Sequence, residues 1–304
     1  MIGTKSKNPV AVYHLPGLFE FYELYKLFLP LFFNHREYFY PWCRIGSIYG
    51  APADCIWGGG RISESDAVPE DVLALTSKYG ISARLTFSNS LLREEHLSDK
   101  RSNDLCRMFA LSGKNKNGVI VHSELLTAYL QEKYPELYLV SSTTKTLTDF
   151  GDLKNELDRP EFKYVVADFR LNKKFNELAE LSQEEKNKTE FLCNECCDFG
   201  CSKRRECYEA VSHLALGEEE HHTCPSPWAA EGYTFSRAME NPGFISIEDI
   251  VHKYLPMGFS NFKIEGRSLG SAVILEFLLY YLTKPKYQLK VREEIYLTNT
   301  LDLF

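Results

Sequence analysis

Gly118–Lys145 reads GVIVHSELLTAYLQEKYPELYLVSSTTK. The apolar run Gly118–Val121 is a strand, and Ser123 stands where a helix N-cap belongs. A helix follows from about Leu125 to Lys133, then a second strand at Leu137–Val140 that opens into Ser141-Ser142-Thr143-Thr144-Lys145. Strand, helix and strand thus succeed one another within one short stretch, and the alternation continues on both sides. Upstream, Pro9–Tyr13, Arg44–Tyr49 and Ile81–Phe87 read as strands, the last alternating apolar residues with Ser, Arg and Thr. An aromatic amphipathic helix lies in Leu18–Phe33, and another starts with Pro69 and stops at Gly80. Downstream strands are Phe162–Asp168, Phe191–Cys193 and Phe259–Ile264, with helices around Leu153 and Lys173–Leu181. Ser246-Ile247-Glu248-Asp249 resembles a capping box, and Leu269–Leu282 is the last helix expected, shortly before the chain ends. Eight strands alternating with helices predict an α/β fold, a (β/α)8 TIM-like barrel formed as one domain over 1–304. A doubly wound sheet is disfavoured because no Gly-x-Gly-x-x-Gly follows the first strand. Gly58-Gly59-Gly60 instead sits in the long loop Gly50–Val68, which reads as a lid carrying Trp57.

The 304 residues are 44 % hydrophobic and 25 % charged, enough for a large core and incompatible with global disorder. A net charge of −7 and a pI near 5.7 argue against a duplex-DNA binder. No membrane span is expected, since the best apolar run, Ala272–Leu282, is short and holds Glu276. The opening Met1-Ile2-Gly3-Thr4-Lys5 has no secretory apolar region, so the chain reads as cytoplasmic.

Six of the nine cysteines, Cys193, Cys196, Cys197, Cys201, Cys207 and Cys224, fall in one 32-residue stretch that starts at the end of the seventh strand. They mark 194–245 as a cysteine-rich insertion that binds a metal, because thiols packed this densely in a reducing compartment are metal ligands more often than disulfides. Cys193-x-x-Cys196 alone suits zinc, but no second Cys-x-x-Cys follows. Cys197-x3-Cys201-x5-Cys207 with a distant Cys224 fits the looser spacing of iron–sulfur ligation, with Cys193 as an alternative ligand. Lys203, Arg204 and Arg205 would offset the charge of such a cluster. His221 and His222 are candidate ligands, although adjacent histidines before a proline turn are commonly exposed.

In a barrel, residues just past the strand ends face one site. Glu265-Gly266-Arg267 places a carboxylate and a guanidinium at alternate positions, with Gly permitting close approach, and suits capture of an anionic or carbonyl group. Asp168 and Asn194 are the candidates for proton transfer or orientation beside Glu265 and Arg267. Tyr49, Trp57, Arg61 and Asn89 are the candidates for substrate binding.

Phe262-Lys263-Ile264-Glu265-Gly266-Arg267, and Glu190-Phe191-Leu192-Cys193 feeding a cysteine cluster, resemble two signatures of the collagenase-like peptidases of unknown catalytic type. The resemblance implies a barrel and, as in several members, a four-cysteine [4Fe–4S] cluster used in oxygen-independent hydroxylation of quinone precursors or RNA bases; other members are described as peptidases. The expected function is an iron–sulfur-dependent barrel enzyme that modifies a small aromatic or nucleobase-type substrate, with room for a partner subunit. Two rivals stand beside it: a zinc-stabilised, peptidase-like hydrolase, and a non-enzymatic scaffold stapled by metal. No His-Glu-x-x-His or Gly-x-Ser-x-Gly supports hydrolysis directly.

Overall fold

Every strand read from the sequence is present. The computed structural model describes residues 9–59, 67–112, 115–226, 234–266 and 268–301. The first half runs β1 (Ala11–Pro16), α1 (Tyr22–Asn34), β2 (Cys43–Gly50), α2 (Pro69–Lys78), β3 (Ser82–Phe87), α3 (Lys100–Leu111), β4 (Gly118–Val121) and α4 (Glu124–Lys133). The second runs β5 (Tyr138–Ser141), α5 (Phe150–Asp158), β6 (Phe162–Ala167), α6 (Phe175–Ala179), α7 (Gln183–Lys188), β7 (Thr189–Leu192), α8 (Arg204–Ala215), α9 (Phe235–Glu240), α10 (Ile247–Asp249), β8 (Asn261–Lys263), α11 (Ser271–Leu282) and α12 (Gln288–Leu301). All neighbouring strands pair in parallel, and β8 pairs back on β1 through Tyr13 and Phe262 to close a (β/α)8 barrel.

Local chemistry sets the element ends. Ser123 accepts from the Leu126 amide to start α4, Pro69 opens α2, and Ser246 with Asp249 forms the expected capping box. Helices α3, α7, α8, α9 and α12 were not read from the sequence. Helix α3 is opened by Asp99, which accepts from the Ser102 amide, and buries Leu105, Cys106 and Phe109. Helix α12 continues past α11, so Leu269–Leu282 is not the last helix. Among the described residues no helix is long and apolar enough to cross a membrane.

The strands' two faces fill different cores. Ala11, Tyr13, Leu15, Ala83, Leu85, Phe87, Phe191 and Phe262 point into the layer between barrel and helices. A much smaller apolar set, Tyr49, Ile120, Tyr138, Val140 and Val166, forms a separate cluster. Much of the space beside this second set is taken by polar and charged side chains, where barrels commonly stack branched apolar ones.

Candidate active site

Arg84 on β3 and Glu190 on β7 bond at 2.6 Å although their strands stand opposite each other in the ring, so they meet through the lumen. Both side chains are buried. His14 Nε2 lies 3.4 Å from the same carboxylate, and its Nδ1 pairs with Ser47 Oγ at 2.8 Å. Lys263 Nζ stands 3.8 Å from the other Glu190 oxygen and 4.1 Å from the Tyr49 ring centre. Arg84 Nε also donates to Tyr138 Oη at 2.9 Å. Burial alone would raise the Glu190 carboxyl, but the charges of Arg84 and Lys263 outweigh it and hold the group down at about 2. Burial, reinforced by Arg84, pushes His14 down to about 3 despite Glu190, so the imidazole is neutral at ordinary pH.

Above this layer, at the carboxyl ends of the strands, lies a narrow cavity of about 60 Å³. Tyr49, Thr86, Ser88, Ser142, Lys263 and Glu265 are among its lining, with Glu195 and Tyr208 contributed by the chain beyond β7. Asn194 joins the two strand ends that carry the acids: its Nδ2 donates to the Glu265 carbonyl at 3.1 Å and its Oδ1 accepts from the Glu265 amide at 2.8 Å. Gly266 has φ +140°, and a Cβ there would sit 2.3 Å from Ile274, so the close approach expected of this glycine is real. Glu195, Cys196 and Glu265 bring their donor atoms within 4.8 Å of one another, the one such group of His, Cys, Asp and Glu among the described residues. The Cys196 thiol lies 3.6 Å from Glu195 Oε1 and 3.7 Å from Glu265 Oε1.

The cysteine segment folds over the mouth. Arg204, at the start of α8, is buried, binds Glu195, and donates to Tyr208 Oη at 2.8 Å. Glu195 also accepts from the amides of Cys196 and Cys197. Arg170 donates to the carbonyls of Phe199 and Cys201, and Asn241 to those of Glu195 and Cys197. Farther along α8, Ser212 Oγ accepts from the Ser90 amide at 3.1 Å and the Ser212 carbonyl accepts from Asn89. Cys207 Sγ and His222 Nε2 are 2.8 Å apart, and Cys201 shares a cleft with Pro225 and Ser226. The chain near Cys224 therefore returns to the other cysteines. Cys197, Cys201 and Cys207 are half-buried and Cys224 is exposed. Burial, opposed by Arg204, pushes the Cys197 thiol up to about 12.

Several expected site residues have other employment. Cys193 is fully buried in the outer core, where burial raises its thiol. Trp57 does not line the cavity: it is buried, donates to the His96 carbonyl at 2.8 Å and packs edge-on to Phe87 and Tyr129. A Cβ on Gly59 would fall 2.4 Å from the Asn89 amide nitrogen, so that glycine serves close packing instead of hinging a lid. Asn89 binds the Ile56 and Ser212 carbonyls and the Leu91 amide, tying its own loop to the loop of Ile56 and to α8. Asp168 caps the turn after β6 and binds Arg170 at 3.2 Å, with Arg204 Nε 3.9 Å away. Tyr49 and Glu265 do line the mouth. Arg61 and Arg267 lie outside the described residues. Sequence reasoning missed Arg84, Glu190, Lys263 and Thr86 as parts of one site, and the signal available was charge inside strands that a closed barrel buries on both faces.

No protein-family model matches the chain, and no curated protein matches it. Among solved structures, that of the U32 peptidase Mk0906 is similar, with a TM-score of 0.54 and 14 % sequence identity over 88 % of this chain and 96 % of that one. The likeness is one of fold.

Proposed function

We propose that the chain is an enzyme of the barrel mouth that modifies, by hydroxylation or a related reaction, a small aromatic or nucleobase-type substrate with the help of an iron–sulfur cluster. The cavity carries this reading: hydroxyls, an ammonium and two carboxylates converge where (β/α)8 barrels keep their chemistry, beneath a roof drawn from the cysteine segment. The segment Phe262–Glu265, which carries the sequence resemblance, leads to this end of the barrel, and the fold is like that of a U32 peptidase.

Four thiols, Cys197, Cys201, Cys207 and Cys224, would hold the cluster, and three of them are half-buried on one segment. Arg204 is the supporting observation: it is buried between Glu195 and Asp168, and its charge also acts on the Cys197 thiol. A buried cation beside a thiol favours the thiolate that a cluster needs. Such a cluster, when bound, supplies one-electron chemistry. The chain's own part is to orient and exclude. Asn194 fixes the backbone of Glu265, Glu265 offers a carboxylate to a substrate proton, and Leu192 and Tyr208 narrow the water space.

The Cys207–His222 contact favours a second reading, a zinc ion with mixed imidazole and thiolate ligands stabilising a peptidase-like hydrolase or a scaffold. Purification without oxygen separates them. About four iron and four sulfide per chain, lost in Cys201→Ser and kept in Cys55→Ser, support the cluster. One zinc per chain without visible absorbance, lost in His222→Ala, supports the second reading and overturns the first.

A further inference from the structure

Two strand ends present hydroxyls to the mouth cavity that the described chain does not satisfy. Thr86 and Ser88, on β3 and just past it, are buried at 6 % and 1 % exposure, and Thr143, after β5, is half-buried. All three line the cavity, and none of their hydroxyls has a hydrogen-bond partner among the described residues. Buried hydroxyls normally find partners, because leaving one unpaired forfeits its hydration without return. Residues two apart along a strand share a face, so Thr86 and Ser88 form one wall, and a group entering the cavity supplies what they lack.

The charges around the cavity decide what kind of group that is. Among the described residues they cancel: Arg84, Lys263 and Arg204 stand against Glu190, Glu195 and Glu265, and His14 is neutral. They are also engaged. Arg84 holds Glu190 at 2.6 Å, and Lys263 lies 3.8 Å from the other Glu190 oxygen and 4.1 Å from the Tyr49 ring centre. Arg204 binds Glu195, which also accepts from two backbone amides. A charged ligand would shed its hydration here for no unmatched counter-charge, whereas an uncharged one has little to shed.

Polarity narrows the class further. An ionised carboxylate only accepts hydrogen bonds and has about four positions for doing so. Glu265 can therefore accept from a ligand while the Cys196 thiol stands 3.7 Å from its Oε1. The wall hydroxyls can donate. We propose that the cavity seats an uncharged group in which a hydrogen-bond donor lies beside an acceptor, either the N–H and C=O of an amide or lactam or two neighbouring hydroxyls, with Thr86 and Ser88 donating to the acceptor and Glu265 accepting from the donor. The proposal rests on the mouth being the reaction site and deepens that reading by naming the substrate edge that is read there. The cavity's 60 Å³ admits only that edge, so the rest of the ligand extends toward the rim.

NMR titration of the full chain with four probes built on one five-membered ring tests the seat: γ-butyrolactam, cis-cyclopentanediol, cyclopentanone and cyclopentanecarboxylate. Saturable binding is expected for the lactam or the diol. Cyclopentanone should bind at least about threefold more weakly, because it brings no donor to Glu265, and the carboxylate should bind no better than the ketone. Thr86→Val and Ser88→Ala should each weaken the better probe about three- to tenfold, the range of one hydrogen bond. Both variants should melt no lower than the wild type, since neither hydroxyl has a described partner to lose. Preference for the lactam assigns an amide-type edge, and preference for the diol a polyol edge. No binding by lactam or diol, ketone or carboxylate binding as tightly as the better of them, or affinity unchanged in both hydroxyl variants overturns the proposal. These readouts need neither metal nor turnover, so failure here is distinct from failure of the iron–sulfur reading.

Discussion

Removing the charge of Glu190 is expected to destabilise the protein more than removing the arginine bound to it. In the intact lumen Glu190 is shared by Arg84 at 2.6 Å and Lys263 at 3.8 Å, with His14 Nε2 at 3.4 Å. Arg84→Met breaks the shorter pair but leaves Glu190 opposite Lys263, one charge of each sign. Glu190→Gln breaks both pairs and leaves two buried cations facing an amide. Breaking a buried pair by deleting one partner costs about 3–5 kcal/mol. A second attraction near 4 Å adds up to about 4 kcal/mol at an effective dielectric of 20, less what relaxation and water recover. Arg84→Met also keeps some apolar contact with Tyr164, whose ring centre the guanidinium now approaches to 4.7 Å. The expected losses are about 3 kcal/mol for Arg84→Met and about 5 kcal/mol for Glu190→Gln. Urea unfolding at pH 7, followed by circular dichroism with unchanged denaturant slopes, measures both. Arg84→Met proving as costly as Glu190→Gln, or both costing under about 1 kcal/mol, would refute the shared-carboxylate account.

Acid should weaken the fold well before carboxylates titrate. Burial lowers His14 to about 3, with Arg84 assisting, and His122 to about 4, with Lys145 assisting, while unfolded histidine protonates near 6.5. Stability is therefore complete above that unfolded value and declines as pH falls toward the folded ones. Between pH 7 and pH 5 His14 alone removes about 2 kcal/mol, and His14→Gln should flatten the profile by that amount; a wild-type midpoint equal at both pH values would contradict this. Trp57→Ala should cost about 3–5 kcal/mol through lost packing against Phe87 and Tyr129, read as a lower urea midpoint. A variant that melts normally but binds ligand poorly would restore the lid reading of that loop.

The barrel was legible because its signal is repeated. Each strand is a short apolar run closed by polar residues, and Gly118–Val121 coincides with β4 to the residue. Where the signal failed, it was local and ambiguous. Helix α3 opens with Lys100-Arg101-Ser102-Asn103-Asp104, so its polar start hides the buried face of Leu105, Cys106 and Phe109. Helix α8 begins with Arg204-Arg205-Glu206, where cysteine spacing dominated the reading. The lumen was the harder case. Arg84 is merely a polar residue at an alternating position in β3, and Glu190 one letter of a motif. That they bond depends on closure of the ring, which brings together residues 106 apart in sequence. Glu265 was readable as a mouth residue from its place after a late strand, but Thr86 was not, because its importance lies in a partner it lacks.

Adjacent residues of α8 tie the cysteine segment to the mouth. Tyr208 turns toward the cavity and takes a bond from Arg204, while Cys207 meets His222 on another side of the same turn. Arg204 in turn holds Glu195, whose second oxygen receives the amides of Cys196 and Cys197. A displacement of this helix therefore cannot be confined to the thiols. It shifts the roof of the cavity through Tyr208 and loosens Glu195 through Arg204, while Asn194, bonded only to the backbone of Glu265 among its described partners, keeps the β8 side in place. The mouth thus has one wall fixed by strand ends and one carried by the cysteine segment.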